Sequence, residues 1–359
     1  MKERINWIDW AKAIAVCSVV FCHLPQSQEW FYFRYMQATT ITVFFFISGY
    51  LKKDHGSTQA NWKRYWSGLI APYLLYNAII YPYCFVKYYM LHGDMPDLFT
   101  AMKPIIGALL FEHEDAWAEP LNGPLWYLPA ILIMHLIIDI CQKTRHLHII
   151  MIGLCIVSYF LYVANKEYEF LPNLTPMGLF RRLPYYYLGY VMGQWKMNHE
   201  DSPHVLRKLR TQGTVPMIPL ILLMAGCLAV SLLFFKWHLH EERILLHTVL
   251  FYPVNIGLLF AVICFCKLID HWHWSFITNL SIGTLVIIGL HIIPIGIFNF
   301  VVEHSFGIRK GYGYYWYEVL PVTSVIIGLL YPIILWSKRH TPVLIGKYKD
   351  FKYGTDKTK

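Results

Sequence analysis

The chain has 359 residues, 56% of them hydrophobic and 15% charged, with a formal charge of +9 from 31 Lys and Arg against 22 Asp and Glu. Soluble chains run at roughly 45–50% apolar and about 25% charged, so disorder, collagen-like repeats and coiled coils are excluded and a soluble two-domain enzyme is disfavoured. The basic residues are scattered between apolar runs rather than gathered on one face, so no nucleic-acid partner is expected. The eight cysteines lie in or beside those runs without metal-ligand spacing, so neither a disulfide framework nor a metal site is expected.

Lys2 and Arg4 precede an apolar stretch in the manner of a signal peptide, but Asp9 and Lys12 interrupt it and no small-residue cleavage site follows His23 and Pro25. A retained first span is therefore expected. A window of about 19 residues predicts ten spans, at 7–25, 36–51, 66–90, 124–142, 147–164, 178–197, 214–235, 245–266, 277–301 and 317–337. With the N-terminus inside, twenty of the basic residues fall in cytoplasmic segments, seven in outer ones and four at membrane depth. The positive-inside rule thus predicts an all-α, polytopic bundle of about ten transmembrane helices with both termini cytoplasmic. Residues 1–340 form the transmembrane domain and 341–359 a basic cytoplasmic tail. The connection at 91–123 is acidic and contains an apolar piece, 104–111, too short to span. An interfacial or re-entrant helix, or a lid over an outward cavity, fits it as well as a solvated loop does.

Ionisable residues at membrane depth are expensive and are therefore candidates for function. Lys12 and His23 are eleven residues apart, so they share a helix face to within about 20° and lie roughly 16 Å apart along the axis. Asp9 and Lys12, at i and i+3, can neutralise each other. Such a face suits a substrate that carries phosphates at one end and a reactive group at the other: Lys12 holding an anion, His23 acting as base on a hydroxyl. Snorkelling of Lys12 and helix capping by His23 explain the same residues structurally. Arg181 and Arg182 point about 100° apart, so at least one faces the bundle. Arg182 is the candidate for an anionic or polyhydroxyl group. Arg64, at the cytoplasmic entry of the third span, suits phosphates as a charged, bidentate ligand. His135 and Asp139 are predicted to pair at i and i+4. Gly49, Gly189 and Gly193 are read as close helix contacts.

The segment Trp7-Ile8-Asp9-Trp10-Ala11-Lys12, followed after ten residues by His23, resembles the first helix of the membrane acyltransferase 3 family, where the basic residue is usually arginine. Phe44-Phe45-Phe46-Ile47-Ser48-Gly49 is similar to its second-helix signature, and Lys63-Arg64 before Pro72-Tyr73 to its basic entry, although Ser67 stands where a second arginine is common. Gly123-Pro124-Leu125-Trp126-Tyr127-Leu128, Arg182 with Tyr187-Leu188-Gly189-Tyr190, and Leu280-Ser281-Ile282-Gly283-Thr284 with Leu290-His291 continue the resemblance in order, the last without the usual tyrosine after its serine.

The resemblance implies a multi-pass membrane O-acyltransferase, in a bacterial inner membrane. It would pass an acyl group, most readily acetyl, from cytoplasmic acetyl-CoA or another acyl-CoA to a hydroxyl of a glycan or lipid-linked sugar. It makes His23 and Asp9 of the first helix catalytic, His23 either deprotonating the acceptor hydroxyl or briefly carrying the acyl group. Lys12, Arg64 and Trp126 are assigned to the acyl-CoA, and Arg182 and His291 to the acceptor. A secondary transporter or flippase remains the rival from another class, to be recognised by broken helices and inverted repeats. A degenerate acyltransferase serving as a scaffold is a third reading.

Overall fold

The computed structural model describes residues 4–26, 31–53, 57–111, 122–168, 175–200, 217–237, 244–305 and 313–347. Among these there is no strand; a single bridge joins Gln26 to Tyr314. Helices occupy all ten stretches that hydropathy marks out.

The first, α1 (Asn6–His23), stops because Pro25 forces Leu24 into extended backbone, φ −74°, ψ 141°. It is followed by α2 (Phe31–Tyr50). Next, α3 (Thr58–Tyr65) starts where the Ser57 hydroxyl accepts from the Ala60 amide, and runs through a π turn (Trp66–Ile70) into α4 (Ala71–His92). Gly93, at φ 79°, closes α4 in the left-handed conformation that favours glycine. Then α5 (Leu98–Leu109) begins at Asp97, whose carboxylate accepts from the Thr100 amide. A 3-10 turn (Gly123–Trp126) leads into α6 (Tyr127–Cys141), and α7 (Leu147–Tyr168), α8 (Thr175–Glu200), α9 (Met217–Trp237) and α10 (Ile244–Leu268) follow.

The stretch expected as one span at 277–301 is three helices instead: α11 (Ser275–Ile282), α12 (Thr284–Leu290) and α13 (Ile292–Ser305). The last two are bent by 47°. The cause is Pro294, which lacks an amide hydrogen and whose ring crowds the carbonyl four residues back, that of Leu290. His291 sits in the break. The chain ends in α14 (Trp316–His340) and a 3-10 turn (Pro342–Ile345).

Four stretches among the described residues are long and apolar enough to cross a membrane: Thr58–Met90, Gly123–Cys141, Leu147–Ala164 and Trp316–His340; the bent α12–α13 pair makes a fifth. The other helices are shorter in their apolar part or carry polar groups that the bundle covers. The clearest case is α1, which holds Asn6, Asp9, Lys12 and His23 and is packed by α2, α10, α11, α12 and α14. Most of its side chains are buried.

The broadest helix contact is that of α2 with α8. Gly49, Gly189 and Gly193 make it, as the sequence predicts: a Cβ on any of them would collide with backbone of the opposite helix, at Tyr186, Phe46 and Tyr50 respectively. Short α5 lies antiparallel along α4, where Tyr81 donates to the Ala101 carbonyl at 3.0 Å and Tyr73 to that of Ala108. A largely apolar cavity of about 490 Å³ lies between α4, α5 and α6. The acidic residues Glu112, Glu114, Asp115 and Glu119 of the expected lid lie outside the described residues.

Candidate active site

The two histidines that the sequence separates by most of its length face each other. Their ring centroids are 4.8 Å apart, with planes at 73°. His23 is the last residue of α1, and its Nδ1 lies 2.7 Å from the Val19 carbonyl. His291, in the break after α12, is fully buried, with Nδ1 2.8 Å from the Ile287 carbonyl and 3.1 Å from that of Ile288. A carbonyl can only accept, so each Nδ1 carries the hydrogen and each Nε2 keeps its lone pair. Both rings thus present the basic nitrogen away from their own helix. The Nε2 of His291 is buried with no hydrogen-bond partner, whereas His23 is exposed enough to be reached by a substrate.

Asn122 supports this break. Its amide nitrogen donates to the Gly289 carbonyl at 2.9 Å, and its side-chain oxygen is buried without a partner. Two unsatisfied polar atoms therefore lie at the break, one on Asn122 ahead of the turn into α6 and one on His291 in the kink itself. Buried polar groups are rarely left unpaired without a reason. Sequence reasoning missed Asn122; its position just before Gly123-Pro124 at the start of an apolar run was the available signal.

At the other end of α1 the expected pairing is corrected. Asp9 is held by Arg4, whose Nη2 donates at 2.8 Å, and by the Ser281 hydroxyl at 2.6 Å. It makes no ion pair with Lys12, because Arg4 in the segment before the helix folds back and takes both carboxylate oxygens. Fourteen residues, about 21 Å of helix, separate Asp9 from His23, so they cannot act on the same atom. Lys12 stays half-buried one turn above Asp9.

The expected His135–Asp139 pair is also replaced. Asp139 binds Lys52 Nζ at 2.6 Å, with Tyr65 donating to its other oxygen and Asn61 approaching at 3.4 Å. His135 turns instead to the Tyr186 hydroxyl and stacks on Tyr65, ring centroids 5.3 Å apart. Lys52 was legible only as one of a loop pair with Lys53, yet it is 5% exposed.

The remaining candidates are not brought to the histidines. Trp126 packs against Phe45 at 5.8 Å in the core shared by α6 and α8. Arg64 is exposed on α3. Arg182 is half-buried on α8 with its Nε out of solvent and without a partner, close to the phenols of Tyr162, Tyr185 and Tyr252.

Within the helical bundle, the broken helix thus sets His291 ring to ring with His23, with the His291 Nε2 buried and unpartnered. A family model described as an acyltransferase domain matches residues 5–337. The chain therefore belongs to the acyltransferase 3 family of membrane proteins. No individual curated protein and no solved structure matches it.

Proposed function

We propose that the protein is an O-acyltransferase that passes an acyl group, acetyl in the first instance, from cytoplasmic acyl-CoA to a hydroxyl of a cell-surface or lipid-linked glycan. The observation that carries this reading is the facing His23–His291 pair, with both Nδ1 atoms tied to backbone and both Nε2 atoms left as bases. Family membership supplies the reaction class. In the reaction, His23 Nε2 takes the proton of the acceptor hydroxyl as its oxygen attacks the thioester carbonyl. The carbon–sulfur bond then breaks, and the leaving thiolate takes the proton back from the imidazolium. His291, enclosed beside it, holds the acceptor oxygen or the developing charge in line.

Lys12 binds the phosphate end of the donor, roughly 16 Å down the same helix, and Arg64 adds a second cation. Arg182 binds an anionic or hydroxyl-rich part of the acceptor, and Trp126 lines the acyl path. Asp9 acts as a positioning residue, holding Arg4 and α11 against α1. The test uses the purified protein, radiolabelled acetyl-CoA and a panel of sugar acceptors. Wild type is expected to release coenzyme thiol in step with labelled ester, and His23→Ala to lose at least about a hundredfold, the contribution of a general base. Full activity in that variant would end the mechanism.

One observation favours a transporter instead: the 47° break at His291, since discontinuous helices mark substrate sites in transporters. Vesicle uptake of a sugar or lipid-linked sugar with acetyl-CoA left unconsumed would select that reading.

A further inference from the structure

The helix that carries Arg64 is held in place by side chains. It projects from α4 through the π turn, which interrupts the α-helical register, and among the described residues α3 makes no broad contact with any other helix. Asn61 and Tyr65 are buried one turn apart on the same side of α3, and both reach the Asp139 carboxylate of α6, Asn61 at 3.4 Å and Tyr65 through its hydroxyl. Lys52 Nζ closes the triangle, donating to Asp139 at 2.6 Å and to the Tyr65 oxygen at 2.7 Å. His135, one turn before Asp139, stacks on the Tyr65 ring with planes at 25° and meets the Tyr186 hydroxyl of α8 through Nδ1.

This clamp is mounted on the closest helix contact in the bundle. The Lys52 amide donates to the Gly49 carbonyl at 3.0 Å, and the Lys52 carbonyl accepts from Gln194 of α8 at 3.4 Å. Both bonds lie at the α2–α8 seam, where Gly49 and Gly193 bring backbone against backbone. A buried ion pair adds little net stability over an apolar pair of the same volume, but its bonds demand one geometry. With Asn61 and Tyr65 held against α6, the rotation of α3 about its own axis is set. At 100° per residue Lys63 points about 180° from the held side and Arg64 lies about 80° from it, and both are exposed.

We propose that the Lys52–Asp139 pair is a positioning device for the donor: through Asn61 and Tyr65 it fixes the direction in which Arg64 meets the phosphates of the acyl-CoA. The inference rests on the role given to Arg64 under Proposed function. The test uses the full chain in nanodiscs, with acetyl-CoA as the varied substrate, thiol release as the rate and thermal unfolding measured alongside. Tyr65→Phe keeps the ring on His135 and loses only the hydroxyl; it is expected to raise KM for acetyl-CoA about fivefold, with kcat within about twofold. Lys52→Met combined with Asp139→Leu is expected to do the same while melting near wild type. Arg64→Ala is expected to raise KM about tenfold. Adding Tyr65→Phe to Arg64→Ala should raise it no further, because nothing is left to position.

An unchanged KM in Tyr65→Phe, or the same fivefold rise on top of Arg64→Ala, overturns the inference while leaving the donor role of Arg64 standing. A KM that rises only in step with a lost melting temperature makes the pair structural and overturns it too. If the double variant at Lys52 and Asp139 does not fold, Tyr65→Phe and its combination with Arg64→Ala decide. An unchanged KM in Arg64→Ala removes both the donor role and the clamp that serves it, and a wild type that releases no thiol with any acceptor ends both.

Discussion

His291 spends its Nδ1 on its own helix and leaves Nε2 enclosed without a partner. A histidine kept only for packing gains nothing from that arrangement, because an unsatisfied buried nitrogen costs about 1–3 kcal/mol. His291→Leu is therefore expected to leave the melting temperature in detergent unchanged or higher, while acyl transfer falls at least about tenfold. Retained activity would make the residue structural. Lys52 and Asp139 behave in the opposite way. They form a charge pair in which the lysine is 4% exposed and the carboxylate 16%, so Lys52→Met alone strands an anion and is expected to cost about 3–5 kcal/mol of stability. Lys52→Met with Asp139→Leu should recover much of that loss in equilibrium unfolding. Neither pairing of carboxylates was legible beforehand. Intrahelical spacing names i+3 and i+4 neighbours, whereas Arg4 reaches Asp9 from outside the helix and Lys52 reaches Asp139 from another element. The His23–His291 contact was likewise beyond spacing rules, although the resemblance to the family had marked both residues separately.

At the level of elements, the break between α12 and α13 depends on one residue. Pro294→Ala restores the missing amide donor and removes the clash with Leu290, so the helix should straighten and carry His291 away from His23. Thermal stability is expected to hold or rise while transfer drops; a variant as active as wild type would show that the bend is not needed. The proline was visible in the sequence, and its meaning could have been read there, because helices seldom pass a proline without a kink. Hydropathy overrode it by scoring the whole stretch as one span. The α2–α8 seam was read correctly, since small residues at the contact allow backbones to touch. Gly189→Leu, which drives a side chain into the Phe46 carbonyl, should leave no folded protein in detergent by size-exclusion chromatography, whereas the open Gly153 should tolerate the same change.

At the scale of the whole molecule, the described residues form helices and no strand, as the run of apolar spans leads one to expect, and the ten apolar stretches all contain helix. Crossing the bilayer is a stricter requirement than forming a helix, and only four stretches, or five with the bent pair, meet it by length and composition among the described residues. The charge asymmetry still makes a definite expectation: fluorescent-protein fusions at either terminus should fluoresce, and alkaline phosphatase fusions at the same points should be inactive. The reverse result at one end would require an odd number of crossings. The sheltering of α1 has a consequence for how the protein is made. This helix leaves the ribosome before the helices that cover it, yet Asp9 and Lys12 raise the cost of inserting it, so it is a poor segment for the translocon to release into lipid by itself. Its protein neighbours α10, α11, α12 and α14 are synthesised long afterwards. Nascent chains truncated after α2 should therefore leave α1 at the membrane surface, open to protease and to glycosylation mapping. Only chains extending through α14 should protect it, which makes the completed C-terminal half a chaperone for the N-terminal helix.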